Sequence, residues 1–332
     1  MESPLLQLPG AVPADAPDQE IAAHYGEPAQ EQRALEAGTA FVDRSDRGVV
    51  RVSGPDRLSW LHSLLSQHLE RLAPNEPTQA LLLSPHGHVE HHLHLVDDGE
   101  AVWAHVEPGT APALAEFLDR MRFMLRVEVE DVSGSHAVVT VPEGAEVEAA
   151  AVLPDVAGLT ARIIDRSELP ALAERLRPAG IWAYEALRIA AHQARFGLDT
   201  DHRSIPHEMG WIEAAVHLEK GCYRGQETVA RVHNLGRPPR RLVFLHLDGS
   251  VDRLPAHGDP LEIPGGRTVG FVGSAARHHE LGPVALALVK RNVPVDAELL
   301  AGGVAAAQEV VVSPDTGANA QIDLRRRTAN RG

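Results

Sequence analysis

The spacing of short apolar runs constrains the fold of this chain more than any other feature of its sequence. From Arg241 onward, β-rich runs alternate with glycine and proline turns, at residues 242–247, 261–263, 268–274, 284–289 and 308–312. This spacing is typical of a small antiparallel barrel. Earlier in the chain, predicted hairpins and helices lack the regular strand–helix alternation of a doubly wound sheet. The sequence therefore predicts an α+β fold with a C-terminal antiparallel β-barrel.

The chain has 332 residues, more than one hydrophobic core usually serves, so several domains are expected. Five prolines interrupt any periodic pattern in residues 1–30, which we predict to be a flexible leader. The predicted units that follow are an N-terminal α+β domain over 31–132, a second α+β domain over 133–240, the barrel over 241–325 and a tail over 326–332. Leucines at three- and four-residue spacing predict an amphipathic helix over 57–69, followed by strands over 79–83 and 89–96.

Charge and cysteine content exclude several classes of function. The formal charge of −15 repels phosphate backbones, so we expect no direct nucleic-acid partner. No apolar run approaches the roughly 20 residues of a membrane span, so no membrane partner is expected. A single cysteine rules out an internal disulfide and is typical of the reducing cytosol, which predicts a cytoplasmic protein. A local basic cluster suits a small anionic ligand and consists of Arg224, Arg231, Arg237, Arg240 and Arg241.

The most unusual segment surrounds that cysteine and reads Lys220-Gly221-Cys222-Tyr223-Arg224-Gly225-Gln226-Glu227. Lys220, the backbone amides of a turn at Gly221 and Gly225, and the N-terminus of a predicted helix over 226–232 all favour the thiolate form of Cys222. A thiolate is a nucleophile or a metal ligand, whereas a lone cysteine is more often buried and inert. The polar neighbours indicate a hydrated site. One cysteine cannot by itself complete a zinc or iron–sulfur site made of cysteines.

Histidines are concentrated on the predicted strand over 89–96 and the turn before it. A strand places alternate residues on one face, here His86, His88, Glu90, His92 and His94. Imidazoles two residues apart can chelate a metal, but such a row is more often the solvated face of a half-buried strand. We therefore predict no bound metal. The pair His278-His279 is predicted to lie in an exposed loop.

A third candidate is the loop that follows the predicted helix over 182–191. It carries Asp199, Asp201 and, after Ile205-Pro206-His207, the acid Glu208. Carboxylates in this position can hydrogen-bond a heterocycle with an amidine-like edge, such as a pterin. Solvated loop acids are the alternative interpretation.

Residues 220–227 closely resemble the K-G-C-[FY]-x-G-Q-E signature of the YgfZ family. Weaker matches in the expected order, within residues 178–208 and 270–288, are similar to the related glycine-cleavage T-protein, an aminomethyltransferase. The resemblance runs from about residue 41 to residue 312. It implies a GcvT-like, three-domain cloverleaf arrangement around a central folate channel.

The resemblance also implies an activity. Proteins of this kind bind tetrahydrofolate or a derivative, such as 5-formyl- or methylene-tetrahydrofolate, and support iron–sulfur cluster assembly or repair in client enzymes, including tRNA-modifying enzymes. The expected partners are the reduced folate and, transiently, iron–sulfur client or assembly proteins, with the chain itself a monomer. The thiol that these proteins require corresponds to Cys222, two residues after Lys220 in the motif. The folate contacts fall on Tyr184, Arg188, Glu208, His91 and His92.

Two departures from the T-protein pattern argue against aminomethyl transfer. T-proteins carry an acidic pair where this chain has His91 and His92, and a neutral imidazole is no fixed anion for a cationic transition state. A further T-protein acid is replaced by Ala190. The leading hypothesis is an accessory folate protein, and one alternative is an aminomethyltransferase or another tetrahydrofolate-dependent one-carbon transferase. A second alternative is a metal-binding protein that uses His88, His92 and His94.

Overall fold

The computed structural model describes residues 1–316, so the end of the predicted barrel domain and the predicted tail lie outside the described residues. Within this range the α-helices are α1 (Pro28–Glu36), α2 (Arg57–Leu64), α3 (Ala111–Met121), α4 (Leu169–Arg175), α5 (Ile181–Ala190), α6 (Pro206–Met209), α7 (Ile212–Ala215) and α8 (Gln226–Leu235). The strands up to residue 179 are β1 (Val12–Pro13), β2 (Ala22–His24), β3 (Ala40–Arg44), β4 (Gly48–Ser53), β5 (Thr78–Leu83), β6 (Val89–Asp97), β7 (Ala101–Val106), β8 (Glu128–Asp131), β9 (His136–Pro142), β10 (Ala151–Pro154), β11 (Leu159–Asp165) and β12 (Arg177–Ala179). The remaining strands are β13 (Arg240–Leu247), β14 (Pro260–Ile263), β15 (Arg267–His278), β16 (Gly282–Lys290), β17 (Leu299–Ala301) and β18 (Val304–Val310).

The strands from residue 240 onward close into a six-stranded antiparallel barrel, in the order β13-β16-β15-β14-β17-β18. Val243 and Leu245 on β13 point into its apolar core, as the two-residue period of a strand requires. The alternate residues of the same strand, Leu242 and Phe244, pack against α5. The prediction of an α+β fold with a small C-terminal barrel is confirmed.

The first sheet has the order β5-β6-β7-β4-β8 and holds the histidine-rich strand β6. Helices α2 and α3 cover one face of this sheet, where Leu61 and Leu114 pack on Leu93 and its neighbours. On the other face, Trp103 meets Ile163 of the second sheet. The predicted helix over 57–69 is shorter than expected, because the backbone is already extended at Leu65.

The second sheet has the order β10-β11-β9-β3-β12. Its strand β3 comes from before residue 132, yet it runs antiparallel to β9 and parallel to β12. Sheet pairing therefore crosses the predicted boundary between the two α+β units, since the order of strands in a sheet need not follow the chain. The domain limits stay a prediction.

Residues 1–30 are packed against the rest of the protein, which differs from the expected flexible leader. Leu5 is buried with Phe41 in the core of the second sheet, and the Ser3 hydroxyl donates a hydrogen bond to Asp43. Strand β2 lies against α5 through Ile21 and Ala23. The prolines prevent one long helix in this segment, although Pro28 begins α1. They do not prevent apolar side chains from being buried.

In the part of the chain that the structure describes, every helix is too short or too polar to cross a bilayer.

Candidate functional site

A polar cavity of about 130 Å³ lies between the two sheets and α5. A second hollow of about 200 Å³ continues from it and shares Gln79, His94 and Pro154 with it. We refer to the two together as the central channel. Its first cavity is lined by Arg44, Arg47, Gln79, His92, His94, His105, Glu107, Pro154, Asp155, Tyr184, Arg188, Gln193, Ala194 and Arg195.

Arginine–carboxylate pairs form much of the wall of the central channel. Glu107 accepts hydrogen bonds from Arg47 at 2.8 Å and from Arg195 at 2.7 Å. Burial works against the charge of Glu107, but the two guanidinium groups outweigh it and hold the pKa of this carboxyl well below its ordinary value. Arg195 also pairs with Asp18 at 2.5 Å, so the N-terminal segment helps to close the channel. The wall therefore carries charges that are already neutralised by one another.

Tyr184 lines the channel, where the resemblance places a pterin-stacking aromatic ring. Its hydroxyl donates to Asp155 at 2.9 Å, and Arg44 pairs with the same carboxylate at 2.8 Å. The guanidinium of Arg44 lies 4.0 Å from the centre of the Tyr184 ring and covers one of its faces. A ligand can therefore stack on that face only if Arg44 moves.

Arg188 also lines the channel, but all five of its N–H groups are used within the protein. They donate to Glu185 at 3.1 and 2.5 Å, to the carbonyl oxygen of Gln193 at 2.5 Å, to Asp199 at 2.9 Å and to Ser274 at 2.7 Å. The side chain links α5 to barrel strand β15 and has no donor left for a ligand. Arg188 therefore has a structural role, holding α5 against the barrel.

Three imidazoles form a row across neighbouring strands of the first sheet. The ring of His94 stacks on that of His105 at 4.9 Å, and His92 lies 4.6 Å from His94 and 4.4 Å from Trp211. Burial lowers the pKa of His94 to about 3 and holds those of His92 and His105 well below their ordinary value, so all three are neutral at pH 7. The prediction that this face of β6 is solvated is wrong at His92 and His94, because both rings line the internal cavity.

The tautomer of His105 follows from its neighbour. Arg47 donates through Nε to Nδ1 of His105 at 2.9 Å, so the ring proton of this neutral imidazole sits on Nε2. This buried Nε2 has no hydrogen-bond partner among the described residues. A buried donor without a partner costs about 1–3 kcal/mol, and a ligand acceptor in the channel would satisfy it.

Two predicted folate contacts lie elsewhere. His91 is absent from the channel lining, because alternate residues of β6 face opposite sides and His91 shares its side with Leu93. Glu208 is fully buried, and its carboxylate accepts hydrogen bonds from Arg240 at 2.9 and 2.8 Å. The same arginine pairs with Asp201 at 2.6 Å. Asp201 and Glu208 therefore hold Arg240, whereas Asp199 pairs with Arg188. None of the three lines the channel, and all are engaged in ion pairs.

The proposed metal-binding histidines of β6 do not assemble. Among the residues that the structure describes, the clusters in which ligand atoms lie within 4.8 Å of one another are Glu36 with His278 and His279, and His62 with His68 and Glu70. His88 is not part of the row that His92 and His94 form. The expected exposed loop at His278 is also wrong, because this residue is buried next to α1.

The 220–227 motif docks on the turn between β5 and β6. Gly225 has a φ of 81°, and a Cβ there would lie 2.6 Å from the carbonyl oxygen of Ser84. A Cβ added at Gly87 in that turn would lie 2.7 Å from the Cβ of Thr228 on α8. Arg224 pairs with Glu90 at 2.7 Å. The motif glycine at 225 therefore serves close packing of α8 on the first sheet, since any larger residue would both strain the backbone and clash.

Lys220 is directed at α2. Its ammonium donates to the carbonyl oxygens of His62, Leu65 and Gln67, at 2.5 Å for Leu65 and 3.0 Å for Gln67. Carbonyls at a helix C-terminus lack helical partners, so the lysine caps α2 and fastens the motif to it. Burial lowers the pKa of Lys220 to about 8, and the group is still protonated at neutral pH. None of its three hydrogen bonds goes to Cys222, unlike the expected pairing of lysine with thiolate.

Cys222 is exposed, so it is not the inert buried cysteine of the alternative interpretation. Gly221 and Glu227 are exposed with it. Tyr223 is buried against Met209 and Val229 and anchors the segment. The Gln226 amide donates to the carbonyl oxygen of Lys220 at 3.2 Å. The motif thus holds its thiol outward on a segment that is fixed on both sides.

Several channel residues carry no signal in the sequence. Arg47, His105, Glu107 and Arg195 are spread over almost 150 positions and meet only when the two sheets and α5 come together. The predicted basic cluster has no common surface, because Arg240 is paired with acids and Arg241 is fully buried at the barrel.

Comparisons with known proteins relate the chain to aminomethyltransferases and to an iron–sulfur cluster assembly factor. It is 25% identical to a chloroplastic protein of Arabidopsis thaliana described as a transferase, over 75% of this chain and 66% of that protein. It is 26% identical to an aminomethyltransferase of Parasynechococcus marenigrum, over 78% and 82%. It is 25% identical to the mitochondrial iron–sulfur cluster assembly factor IBA57 homolog of Mycosarcoma maydis, over 60% and 55%.

The fold has a solved counterpart. The glycine cleavage system aminomethyltransferase T of Bartonella henselae superposes with a TM-score of 0.77 at 20% identity, over 92% of this chain and 94% of that one. No protein-family model matches the chain. The predicted GcvT-like relation and three-domain architecture are confirmed, while the YgfZ branch stays a prediction. The cytoplasmic location also stays a prediction, since two of these relatives are described as chloroplastic and mitochondrial.

Proposed function

We propose that this chain, a GcvT-like relative of the aminomethyltransferases and of an iron–sulfur cluster assembly factor, binds a reduced folate in the central channel and supports iron–sulfur clusters. In this proposal the exposed thiol of Cys222 acts in cluster assembly or repair in client enzymes, tRNA-modifying enzymes among them, in the cytoplasm. The observation that carries the proposal is the central channel itself. It combines aromatic and imidazole walls with an unpartnered, buried donor at His105.

The residues of the channel fit a reduced folate. The first cavity alone is smaller than the roughly 300–1,000 Å³ of a typical ligand pocket, but together with the adjoining hollow the space reaches that range. A pterin carries a carbonyl oxygen that the Nε2–H of His105 can donate to, and Gln79 and Tyr184 lie on the same wall. When bound, the folate would supply one-carbon or reducing chemistry. The protein would orient it between the two sheets.

Aminomethyl transfer is disfavoured by the charges of the channel. A cationic transition state needs a free anion close to the folate nitrogen. The carboxylates that line the channel are Glu107 and Asp155, and both are already paired with arginines. His92, one of the two residues that stand at the T-protein acidic pair, is a neutral imidazole. We expect little or no methylene-tetrahydrofolate from aminomethylated lipoyl carrier protein and tetrahydrofolate.

Calorimetric titration with 5-formyl-tetrahydrofolate and tetrahydrofolate tests the folate site. His92→Ala should weaken binding at least tenfold, because it removes a wall of the channel and the ring that packs between His94 and Trp211. His91→Ala is the matched control, since it lies on the same strand and outside the channel, and should stay within about twofold of wild type. Absence of binding to any reduced folate, or equal losses in the two variants, would contradict the proposal.

The role of the thiol is tested separately. Cys222→Ala should bind folate like the wild-type protein, because Cys222 is not among the residues that line the channel, yet it should fail to restore the activity of cluster-dependent enzymes in cells that lack the protein. Full rescue by this variant would exclude Cys222 as the working thiol. Glu227→Ala, an exposed change within the same motif, serves as the control.

A further inference from the structure

A second group of potential ligands lies on the loop that follows α2, outside the central channel. One ligand atom each of His62, His68 and Glu70 lies within 4.8 Å of the others. The rings of His62 and His68 meet edge to face with centroids 4.6 Å apart. A third imidazole approaches from another part of the chain, since the ring of His217 lies 5.2 Å from that of His68. Four potential ligands thus converge from two segments.

We propose that this group, the α2-loop cluster of His62, His68, Glu70 and His217, binds a divalent transition-metal ion. Imidazole and carboxylate ligands lie about 2.0–2.2 Å from zinc, so two ligands of one ion are at most about 4.4 Å apart. A spread of 4.8 Å needs only a small side-chain adjustment to meet that limit. Two or three histidines with one carboxylate are the donor set of zinc and of ferrous iron. The proposal does not depend on folate binding.

The backbone of the α2-loop cluster is held in place before any ion binds. The Lys220 ammonium bonds to the carbonyls of His62 and Gln67 at the two ends of the turn. The amide of His217 donates to the carbonyl oxygen of Ser66 at 3.0 Å, which ties the second segment to the first. A site that is already assembled loses less conformational entropy when it binds an ion. Lys220 is therefore a positioning residue for this loop.

The α2-loop cluster also contains a carboxylate. Glu70 supplies a negative charge that offsets part of the charge of the ion.

His62 must give up weak contacts to bind. Its Nδ1 faces the amides of Leu69 and Glu70 at 3.3 and 3.5 Å, distances beyond the usual 2.7–3.2 Å of such bonds. Among the residues that the structure describes, the His68 side chain makes no such hydrogen bond, which makes it the better first ligand.

The other cluster with similar spacing has a structural role. His279 bonds to Glu36 at 2.6 Å, and the backbone amide of His279 donates to Oε1 of Gln32 on α1 at 2.9 Å. Nδ1 of His278 accepts from two amides at 3.2 Å. These side chains join α1 to the barrel and are committed to that contact. They provide a natural comparison for the test.

Titration of the untagged, chelator-treated protein with Zn²⁺ by calorimetry, and with Co²⁺ by visible absorption, tests the proposal. We expect one ion per chain. His68→Ala and Glu70→Gln should each weaken Zn²⁺ binding at least tenfold, since loss of even an outer-shell partner typically costs 10–100-fold in metal affinity. His279→Ala should leave it unchanged. Circular dichroism and thermal unfolding of each variant confirm that the fold is kept.

Equal Zn²⁺ affinity in wild type and His68→Ala would overturn the proposal. Loss of binding in His279→Ala alone would also overturn it and assign the ion to the α1–barrel contact. Loss in Cys222→Ala with normal binding in His68→Ala would overturn it in favour of a thiolate site. A Co²⁺ spectrum with nitrogen and oxygen ligands, lost in His68→Ala and kept in Cys222→Ala, is the expected result.

Discussion

Acidification should destabilise this protein, and His207 on α6 is the residue for which the effect can be worked out most clearly. Its ring is 1% exposed, and neither ring nitrogen has a hydrogen-bond partner among the described residues. Burial, with a smaller contribution from His233 on α8, lowers the pKa of His207 from 6.5 to about 4. In the unfolded chain the same imidazole regains its ordinary pKa. Between pH 6.5 and 4, therefore, the unfolded state binds a proton that the folded state does not.

The sign and the size of the effect follow from proton linkage. Stability rises with pH wherever the unfolded state binds more protons, so it falls as the pH drops through this window. Going from pH 7 to pH 5, a group with pKa values of 6.5 unfolded and about 4 folded contributes a loss of about 2 kcal/mol. His91, whose pKa burial also lowers to about 4, should contribute a similar amount. A protein with a typical stability of about 5–15 kcal/mol would lose a large part of it.

Urea unfolding of wild type and His207→Leu at pH 7 and pH 5 measures this contribution. The leucine is similar in size and cannot take up a proton, so the variant should lose about 2 kcal/mol less than wild type over the interval. His246→Leu is the control, because the His246 side chain is about half exposed on the barrel. The same pH dependence in wild type and His207→Leu would refute the reasoning.

Three further changes have defined outcomes, each read from the denaturation midpoint. Leu5→Ala should cost about 2–5 kcal/mol, because the side chain is buried in the core of the second sheet; a loss near zero would mean that the leader is loose after all. Arg188→Met should lower the free energy of unfolding by about 3–5 kcal/mol, because Asp199 would be left buried without the arginine that it pairs with. An unchanged free energy of unfolding would contradict the structural role of Arg188. Gly225→Ala should lower the free energy of unfolding by at least about 2 kcal/mol, because of left-handed backbone strain and contact with the β5–β6 turn. Gly221→Ala should leave it nearly unchanged, because a Cβ there would meet no other atom within 4 Å.

The meaning of the 220–227 motif changes once its contacts are known. Its conspicuous chemistry, a lysine two residues from a cysteine, suggested that the lysine activates the thiol. In the structure Lys220 caps α2 and Gly225 fits the β5–β6 turn. Most of the motif therefore packs on α2 and on the β5–β6 turn, and this packing holds Cys222 exposed at a fixed place. Whether that thiol acts on a cluster is the question that the Cys222→Ala experiment answers.

The sequence by itself determined the class of fold and its relatives. Two-residue and three-to-four-residue apolar periods report local backbone geometry, so strands β5 and β6 and helix α5 were predicted almost to the residue. The barrel followed from the same local spacing. The matches within residues 178–208 and 270–288 indicated the GcvT-like relation that the comparisons confirm, because they depend on runs of neighbouring residues.

Only the tertiary structure decided which of these residues face the central channel. The alternation along β6 separates His92 from His91, but which side becomes internal depends on how the second sheet and α5 pack against it. Glu208 accepts hydrogen bonds from Arg240 of β13, and Arg188, besides its local partners, donates to Ser274 of β15, 86 residues away in the sequence. Long-range ion pairs and packing between sheets leave no periodic trace in a sequence. For that reason the channel wall of Arg47, Glu107 and Arg195, and the packing of Leu5 and Ile21 into the core, emerged only from the fold.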